Sequence, residues 1–304
     1  MKRSILLTGL FLPLLAGAQN GDSSRRSALV TTAPLLGGLT VTDVMTPITA
    51  NGHTFTAEQP IVDFGVPLYK NFRTKHPVIF KAEVRYQGLF LSGEQNIGST
   101  DFHSLTGMLS YTYMFSRATN ITFVGLGGVS SDFRRNPDAS DIQYTAGVRI
   151  GFHQDRSFKY GVTVAYTSDY SGTYLLPLPD IDWTISQRWS LTALLPQRVS
   201  LKYKLSPGQF LGFTSGLNTG AYRLNAGKYL QWQQVDEGLL YEVNLGRHWA
   251  ANLIAGYAVS QRLETFNDDQ KMSLDSFGEL GKRTPLVSYR QTSFVAQAGM
   301  SYKF

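Results

Sequence analysis

Ser293-Phe-Val-Ala-Gln-Ala-Gly-Met-Ser-Tyr-Lys-Phe304 ends the chain, and its reading by twos decides the fold. Phe294, Ala296, Ala298, Met300, Tyr302 and Phe304 fall on one face. Ser293, Gln297, Gly299, Ser301 and Lys303 fall on the other, with Val295 the one apolar intruder. A period of two belongs to a strand, here one with an apolar and a polar side. The run is longer than the ~5–6 residues usual in soluble sheets. It meets the ~9–11 residues that cross a bilayer at a tilt.

The start of the chain agrees with its end. Met1-Lys2-Arg3 is a basic head, Ile5 to Leu15 is apolar, and Ala16-Gly17-Ala18 is an A-x-A cleavage site. Residues 1–18 read as a secretory signal peptide cut before Gln19. The apolar run is too short to span a bilayer as a helix. With no cysteine anywhere, a lipid anchor at the cleavage site, a disulfide framework and a thiolate site are all excluded.

Composition narrows the class. Mean hydropathy is −0.14 and 42% of residues are hydrophobic, values that suggest a soluble protein if periodicity is ignored. Alternation dilutes the apolar face of a transmembrane barrel to the same figures. The mature chain has no apolar stretch of ~18 residues, which argues against helical spans. Gly 29, Tyr 16 and Phe 18 with only 16% charged residues lean toward β-structure with aromatic belts. Loss of Lys2 and Arg3 with the signal takes the 28 basic residues to 26 against 22 acidic, a net +4. That excess forms no basic cluster, so no nucleic-acid partner is expected.

Residues 19–58 read as a lead-in, with a first strand, a periplasmic segment or a small plug all open; Pro34, Gly37 and Gly38 interrupt its β-formers. The barrel is placed at 59–304. Ile61 to Tyr69 reads as a strand weakened by Pro67. From Val78 the alternation is clean: Phe80, Ala82, Val84 and Tyr86 against Lys81, Glu83, Arg85 and Gln87. It returns from Leu105 to Phe115, from Ile121 to Gly125, from Ile142 to Phe152 and from Phe158 to Tyr166. Each strand alone is a weak signal, and together they predict an all-β antiparallel transmembrane β-barrel. Its expected size is ~12 strands within a range of ~10–14. Trp189 to Lys204 reads either as two short strands around a tight turn or as one strand bent at Pro196.

Connections alternate in length. Short turns sit at Arg117-Ala118, Asp155-Arg156, Gln187-Arg188, Ser206–Gly208 and Arg247-His248. Longer polar loops are read at Gly93–Phe102, Asp132–Ser140, Gly220–Leu230 and Glu264–Val287. Short periplasmic turns and long extracellular loops are the rule for outer-membrane barrels. Trp189, Trp249 and Phe158 follow short turns, and Phe115 precedes one, which predicts an aromatic girdle at that end. An upper belt is expected at Phe90, Tyr166, Phe266 and Tyr289.

The closing strand resembles the final strand of Gram-negative outer-membrane β-barrels, whose terminal segment is read by the assembly machinery. That resemblance makes Tyr302 and Phe304 the assembly signal, with barrel-assembly machinery and outer-membrane lipid as partners. Across the signal peptide, the alternating region and the strand Ala296 to Phe304, the chain resembles an uncharacterised family of such barrels with no assigned activity. The resemblance implies location in the cell outer membrane and fold only.

Catalysis is not expected. Outer-membrane lipid hydrolases use His-x-Ser, in which histidine activates the nucleophile. The five histidines here are followed two positions on by Phe55, Val78, Leu105, Asp155 and Ala250. Proteases resembling omptins use Asp-x-Asp and Asp-x-His pairs at the rim to activate water. Asp180-Ile-Asp182 and Asp101-Phe-His103 occur here in reversed order and read as a lumenal charge pair and an ordinary loop end, which leaves an outer-membrane protease as a remote alternative. No EF-hand, P-loop or zinc spacing is present, so no cofactor or metal is expected. The remaining place for function is the lumen. Inward positions by parity are Lys81, Glu83, Arg85, Arg149, Asp180, Asp182, Lys202, Lys204, Glu242 and Arg262, with Glu264 and Lys303. Such charges are expected to pair across a small barrel's interior. A narrow pore or transporter for small solutes is the leading reading, and a closed barrel acting as a surface interaction or adhesion module is the alternative.

Overall fold

The computed structural model describes residues 37–50, 53–136, 141–155, 157–224, 227–273 and 283–303. The expected signal peptide at 1–18 and Phe304 of the expected assembly signal lie outside them.

Fifteen strands follow one another: β1 Gly38–Ala50, β2 His53–Asn71, β3 Val78–Ser92, β4 Asp101–Met114, β5 Thr119–Ser131, β6 Ile142–His153, β7 Phe158–Asp169, β8 Gly172–Thr184, β9 Trp189–Leu194, β10 Arg198–Ser206, β11 Gln209–Leu224, β12 Lys228–Leu245, β13 Trp249–Asn267, β14 Met272–Ser273 and β15 Val287–Lys303. The two-residue β14 only adds to β8. The other fourteen pair antiparallel in chain order, and β1 joins β15 from Gly38↔Lys303 to Met45↔Ala296. The sheet is therefore a closed barrel, an arrangement that removes edge strands. Fourteen is the upper limit of the expected range.

Two segments raise the count. Residues 38–50 and 53–58, read as part of a lead-in, belong to β1 and β2, so the barrel begins at Gly38 and not at 59. Gly38 had counted against a strand, yet the seam requires it. A Cβ there would stand 2.5 Å from the Tyr302 carbonyl oxygen. Trp189 to Lys204 is resolved as two strands, β9 and β10, paired from Trp189↔Tyr203 to Leu194↔Arg198. Pro67 sits at a register shift between β2 and β3, where a missing N–H costs no ladder bond.

Alternation places the apolar face outward. Leu105, Leu109, Leu175, Leu239, Leu253 and Tyr257 are among its residues, and Leu239 is 65% exposed. A water-soluble protein does not expose so continuous an apolar band. The band makes this a transmembrane barrel, with lipid as the outer solvent. At the end that holds the short turns, Phe115, Trp183, Trp189 and Trp249 are exposed. Trp189 packs edge-on against Tyr203 at 5.0 Å and Trp249 against Tyr302 at 4.8 Å, which forms the expected girdle. Asp155 builds one of these turns: its carboxylate accepts from the Ser157 N–H, the Ser157 hydroxyl and the Phe158 N–H. These bonds hold its pKa below the usual value, so they persist above the ordinary Asp range and are lost only as pH falls through the lowered value.

The upper belt is half right. Tyr166 is exposed on the outer wall, but Phe266 and Tyr289 are buried in the barrel mouth. Closed barrels of this kind resist detergent without heat. The unboiled protein is expected to migrate differently from the boiled one on a denaturing gel; identical mobility would contradict closure.

Candidate functional site: the lumen and its roof

The parity-based lumenal residues pair along the wall and not across the interior. Lys81 and Glu83 of β3 meet at 2.6 Å. Arg85 donates two bonds, of 2.6 and 3.1 Å, to Asp63 of the adjacent β2. Arg149 of β6 donates to both oxygens of Asp180 on β8, at 2.8 and 2.7 Å, and to Asn120 at 3.1 Å. Lys202 of β10 faces Glu242 of β12 at 3.7 Å, the two side chains 4% and 0% exposed. Asp182 is buried beside Asp180, and Lys204 follows Lys202 on the inner face.

Two of these pairs step over an intervening strand, and a glycine lies in each path. A Cβ on Gly161 of β7 would stand 2.7 Å from the Arg149 guanidinium and 2.8 Å from the Asp180 carboxylate. One on Gly212 of β11 would meet Lys202 Cγ at 3.2 Å. Gly216 repeats the arrangement between Arg198 and Asp236, whose carboxylate also accepts from Asn218 at 3.0 Å. Arg198, Asp236, Asp63 and Asn120 were missed by the sequence reading, although strand parity already placed Arg198 with Lys202. These partners lie within two strands of one another, while Arg198 of β10 and Arg85 of β3 approach from opposite sides of the barrel closely enough to repel.

Arg262 is a correction. It is exposed and lies on the outer face, opposite Arg290. Glu264 shares that face and pairs with Arg290 at 2.6 Å. An extra residue in β13, seen as register shifts opposite Val235/Asp236 and between Ala258 and Gln261, reverses the alternation of β13 above it. A bulge of this kind exchanges inside for outside, and counting by twos cannot detect it. Below the shift Ala250 and Ile254 point in; above it Gln261 and Leu263 do.

The loop expected at Gly220–Leu230 is also a correction. It is a hairpin, β11 running to Leu224 and β12 starting at Lys228, and the end of β11 reaches over the lumen to β5. Arg223 bridges to Ser131 of β5 across the barrel, and its carbonyl accepts from the Asp132 N–H at 3.1 Å. Gln143 of β6 donates to the Ala221 carbonyl at 2.9 Å. The Arg223 guanidinium pairs with Asp268 at 2.8 Å and reaches Asp141 at 3.7 Å. Tyr170, in the β7–β8 turn, donates to the Asp141 carbonyl at 2.6 Å. Burial, then the nearby Asp141 carboxylate, pushes the Tyr170 phenol up to about 12, so it remains a donor at neutral pH.

Beneath the tip, Tyr222, Leu230 and Trp232 pack on Phe55, Leu89 and Ile97 in one apolar cluster inside the mouth. Each large side chain so buried stabilises the roof by roughly 1.5–3 kcal/mol. Between this roof and the β4–β7 wall lies a cavity of about 310 Å³, lined in part by Thr106, Gln143, Thr145, Thr167, Thr219 and Trp232. A larger hollow of about 500 Å³, among Phe80, Leu109, Phe123, Val148 and Tyr166, lies on the outer wall and is a place for lipid chains.

The two acidic motifs weighed for proteolysis do not meet. His103 lies on the outer face with Tyr86 and Phe90, its ring nitrogen 2.8 Å from the Tyr86 hydroxyl. Asp180 and Asp182 lie inside the barrel, toward the opposite end of the wall. Among the described residues, no three His, Asp or Glu side chains group as metal ligands.

No curated protein matches the chain. Among solved structures, the Pseudomonas putida toluene transporter TodX is similar with a TM-score of 0.41 and 9% identity, over 88% of each chain. The β domain of the Bordetella autotransporter BrkA gives 0.28 and 9%, over 88% of this chain and 100% of that one. A bacterial polysaccharide outer membrane secretin gives 0.31 and 13%, over 90% and 100%. A model for a domain of unknown function, DUF6268, matches residues 95–303, which is more than two thirds of the chain and spans β4 to the closing strand, and the protein belongs to that family.

Proposed function

We propose that this protein is a narrow passage for small solutes across the outer membrane, shut in the conformation described, with the β11–β12 hairpin as its gate. The observation that carries this reading is the roof over a solute-sized cavity. The hairpin is held at its rim by polar contacts to β5 and β6 and beneath by the apolar cluster. Polar rim contacts exchange readily with water, as a gate requires, whereas a roof built for permanent closure has no need of a cavity below it. The lipid-facing band and the expected export signal support the outer membrane as the location. Loops are strong carriers of function on a rigid scaffold.

Planar-bilayer recording tests the reading. The wild-type barrel should be closed for most of the record, with brief openings under applied voltage. Permanent silence, in wild type and in roof-weakened variants alike, would favour the second reading, a closed barrel that acts through its surface loops. The apolar cluster is the observation behind that alternative.

Orientation follows from placing the short turns and the chain's end in the periplasm. A protease site inserted after Gly281, between β14 and β15, should then be cut on intact cells. Cutting only after the outer membrane is broken would invert the topology. Loss of Phe304 should lower the amount of heat-modifiable barrel in the membrane, as its proposed role in assembly demands. Unchanged insertion of the shortened chain would remove that role.

A further inference from the structure

We propose that the wall carries a lateral window between β8 and β11, through which a small apolar molecule dissolved in the outer leaflet reaches the cavity beneath the hairpin. The inference names the solute class and the entrance of the passage proposed above, and rests on that reading for the solute's onward path.

Unequal strand lengths make the window. β8 and β11 have 13 and 16 residues, whereas β9 and β10 between them have 6 and 9. β9 pairs with β8 only from Thr184 up to Asp180, and β10 pairs with β11 only up to Gly216. The tip of the short hairpin adds one bond on each side, from the Leu195 N–H to the Pro179 carbonyl and from the Leu217 N–H to the Gln197 carbonyl. Among the described residues, β8 then meets no strand on that side until β14 joins it at Gly172 and Thr173. β11 meets none until Arg223 reaches Ser131 of β5. Thr167, Asp169 and Ser171, on β7 and its turn, line one side of the cavity, and Thr219 and Ala221 of β11 line the other. The gap between β8 and β11 is therefore the cavity's side entrance. Leu175 is the register partner of Tyr166 in the upper belt, so the gap lies in the loop-side part of the apolar band.

The free edge of β8 is built to stay unpaired. The Pro179 carbonyl points toward β9, and strand alternation turns Pro177 and Leu175 the same way. Proline at 177 takes an N–H away from that edge, which blunts it against pairing with another strand. Open edges are tolerated at membrane depth only where they line a cavity, as this one does. The rim is apolar on both faces. Leu175 and Pro177 are exposed on the outside, and Leu176, inward by parity with Asp180 and Asp182, is still 38% exposed. Leu195, at the tip of the short hairpin, is exposed as well.

The cavity sets the solute class. Its polar side chains are already bonded: the Thr145 and Thr167 hydroxyls to each other at 2.6 Å, Gln143 to the Ala221 carbonyl, and Gln231 to Arg283 at 3.2 Å. Asp169 accepts from the Ser171 N–H, the Ser171 hydroxyl and the Gly172 N–H. A solute without donors or acceptors strands none of these groups. A charged solute would have to shed its water at a rim of leucine and proline. A volume of about 310 Å³ lies at the small end of ligand pockets and suits one short chain or ring.

The chain has no cysteine, so single labels are available in the folded full-length protein. Leu176→Cys carrying bimane, in phosphatidylcholine vesicles, should be quenched by a nitroxide on the lipid chain nearly as strongly as Leu175→Cys on the outside. Met108→Cys, inward on β4 and away from the window, should be quenched far less. Leu178→Cys gives a second inward reading beside the gap, should the first variant not yield a heat-modifiable barrel. Bimane on Thr219→Cys should be quenched saturably by a nitroxide-bearing decane dissolved in the bilayer. Adding Leu176→Asp should raise the half-saturation concentration about tenfold, because a carboxylate then stands in the entrance.

Quenching at Leu176 and Leu178 no stronger than at Met108, or by aqueous iodide alone, would overturn the proposal. So would decane quenching at Thr219 that ignores Leu176→Asp. Single-channel recording of the same preparations separates the two ideas. Decane entry into a barrel that never conducts would remove the passage and leave the window. Conductance without lipid-side quenching would do the reverse.

Discussion

Excising Thr219–Gln233 and joining Asn218 to Gln234 through an Asn-Gly turn should convert a mostly silent barrel into an open pore. Asn218 and Gln234 are register partners, so a two-residue turn can close the shortened hairpin there. The excised piece contains Tyr222, Leu230 and Trp232 of the apolar cluster, the Arg223 bridge to β5 and the Ala221 acceptor of Gln143. The wall charges that remain pair along the strands. Unitary conductance in planar bilayers should rise by about tenfold or more, because no hydrophobic constriction remains at the mouth. Arg223→Ala alone removes the contacts to Asp141 and Asp268 and should lengthen openings without enlarging them. If the excised barrel is heat-modifiable yet silent, the lumen is blocked elsewhere and the gate reading fails.

Lys202→Met should destabilise the barrel by about 3–5 kcal/mol, because it leaves a buried carboxylate without its cation. Glu242 is fully buried, and neither of its oxygens has a hydrogen-bond partner among the described residues. Lys202 at 3.7 Å is the compensating charge. The double change Lys202→Met with Glu242→Leu should recover most of the loss, since two apolar groups in place of a buried pair are often neutral or better. Urea unfolding of the detergent-folded barrel, followed by the heat-modifiable band, measures both. A single variant as stable as wild type would mean that water reaches the pair and screens it.

Most of the wall was legible in the sequence for one physical reason: lipid outside and a packed polar lumen inside impose opposite chemistries on successive residues. That constraint acts along β3, β4, β6 and β7, where Val84, Leu105, Ile150 and Val162 point out as the alternation requires. It also placed Lys81, Arg85, Arg149, Asp180, Lys202 and Glu242 inside. The first strand was obscured because Gly38 interrupts the propensity signal, although the close approach to the Tyr302 carbonyl at the seam requires it.

By itself, then, the sequence determined an antiparallel transmembrane barrel, its apolar exterior and the identity of most inward charges. Those properties depend on each residue's own side of the wall. Only the tertiary structure decided what depends on residues distant in the chain. Arg262 moved outside because a bulge in β13 shifted the parity, and a bulge leaves no periodic mark. Arg149 reached Asp180, and Lys202 reached Glu242, because Gly161 and Gly212 lie between them on a neighbouring strand. Gly220–Leu230 looked like a polar loop because its buried side chains, Tyr222 and Leu230 among them, face other walls of the barrel and not lipid. Folded inward, it buries neighbours in pairs, Ala221 with Tyr222 and Tyr229 with Leu230, and no two-residue period can report that.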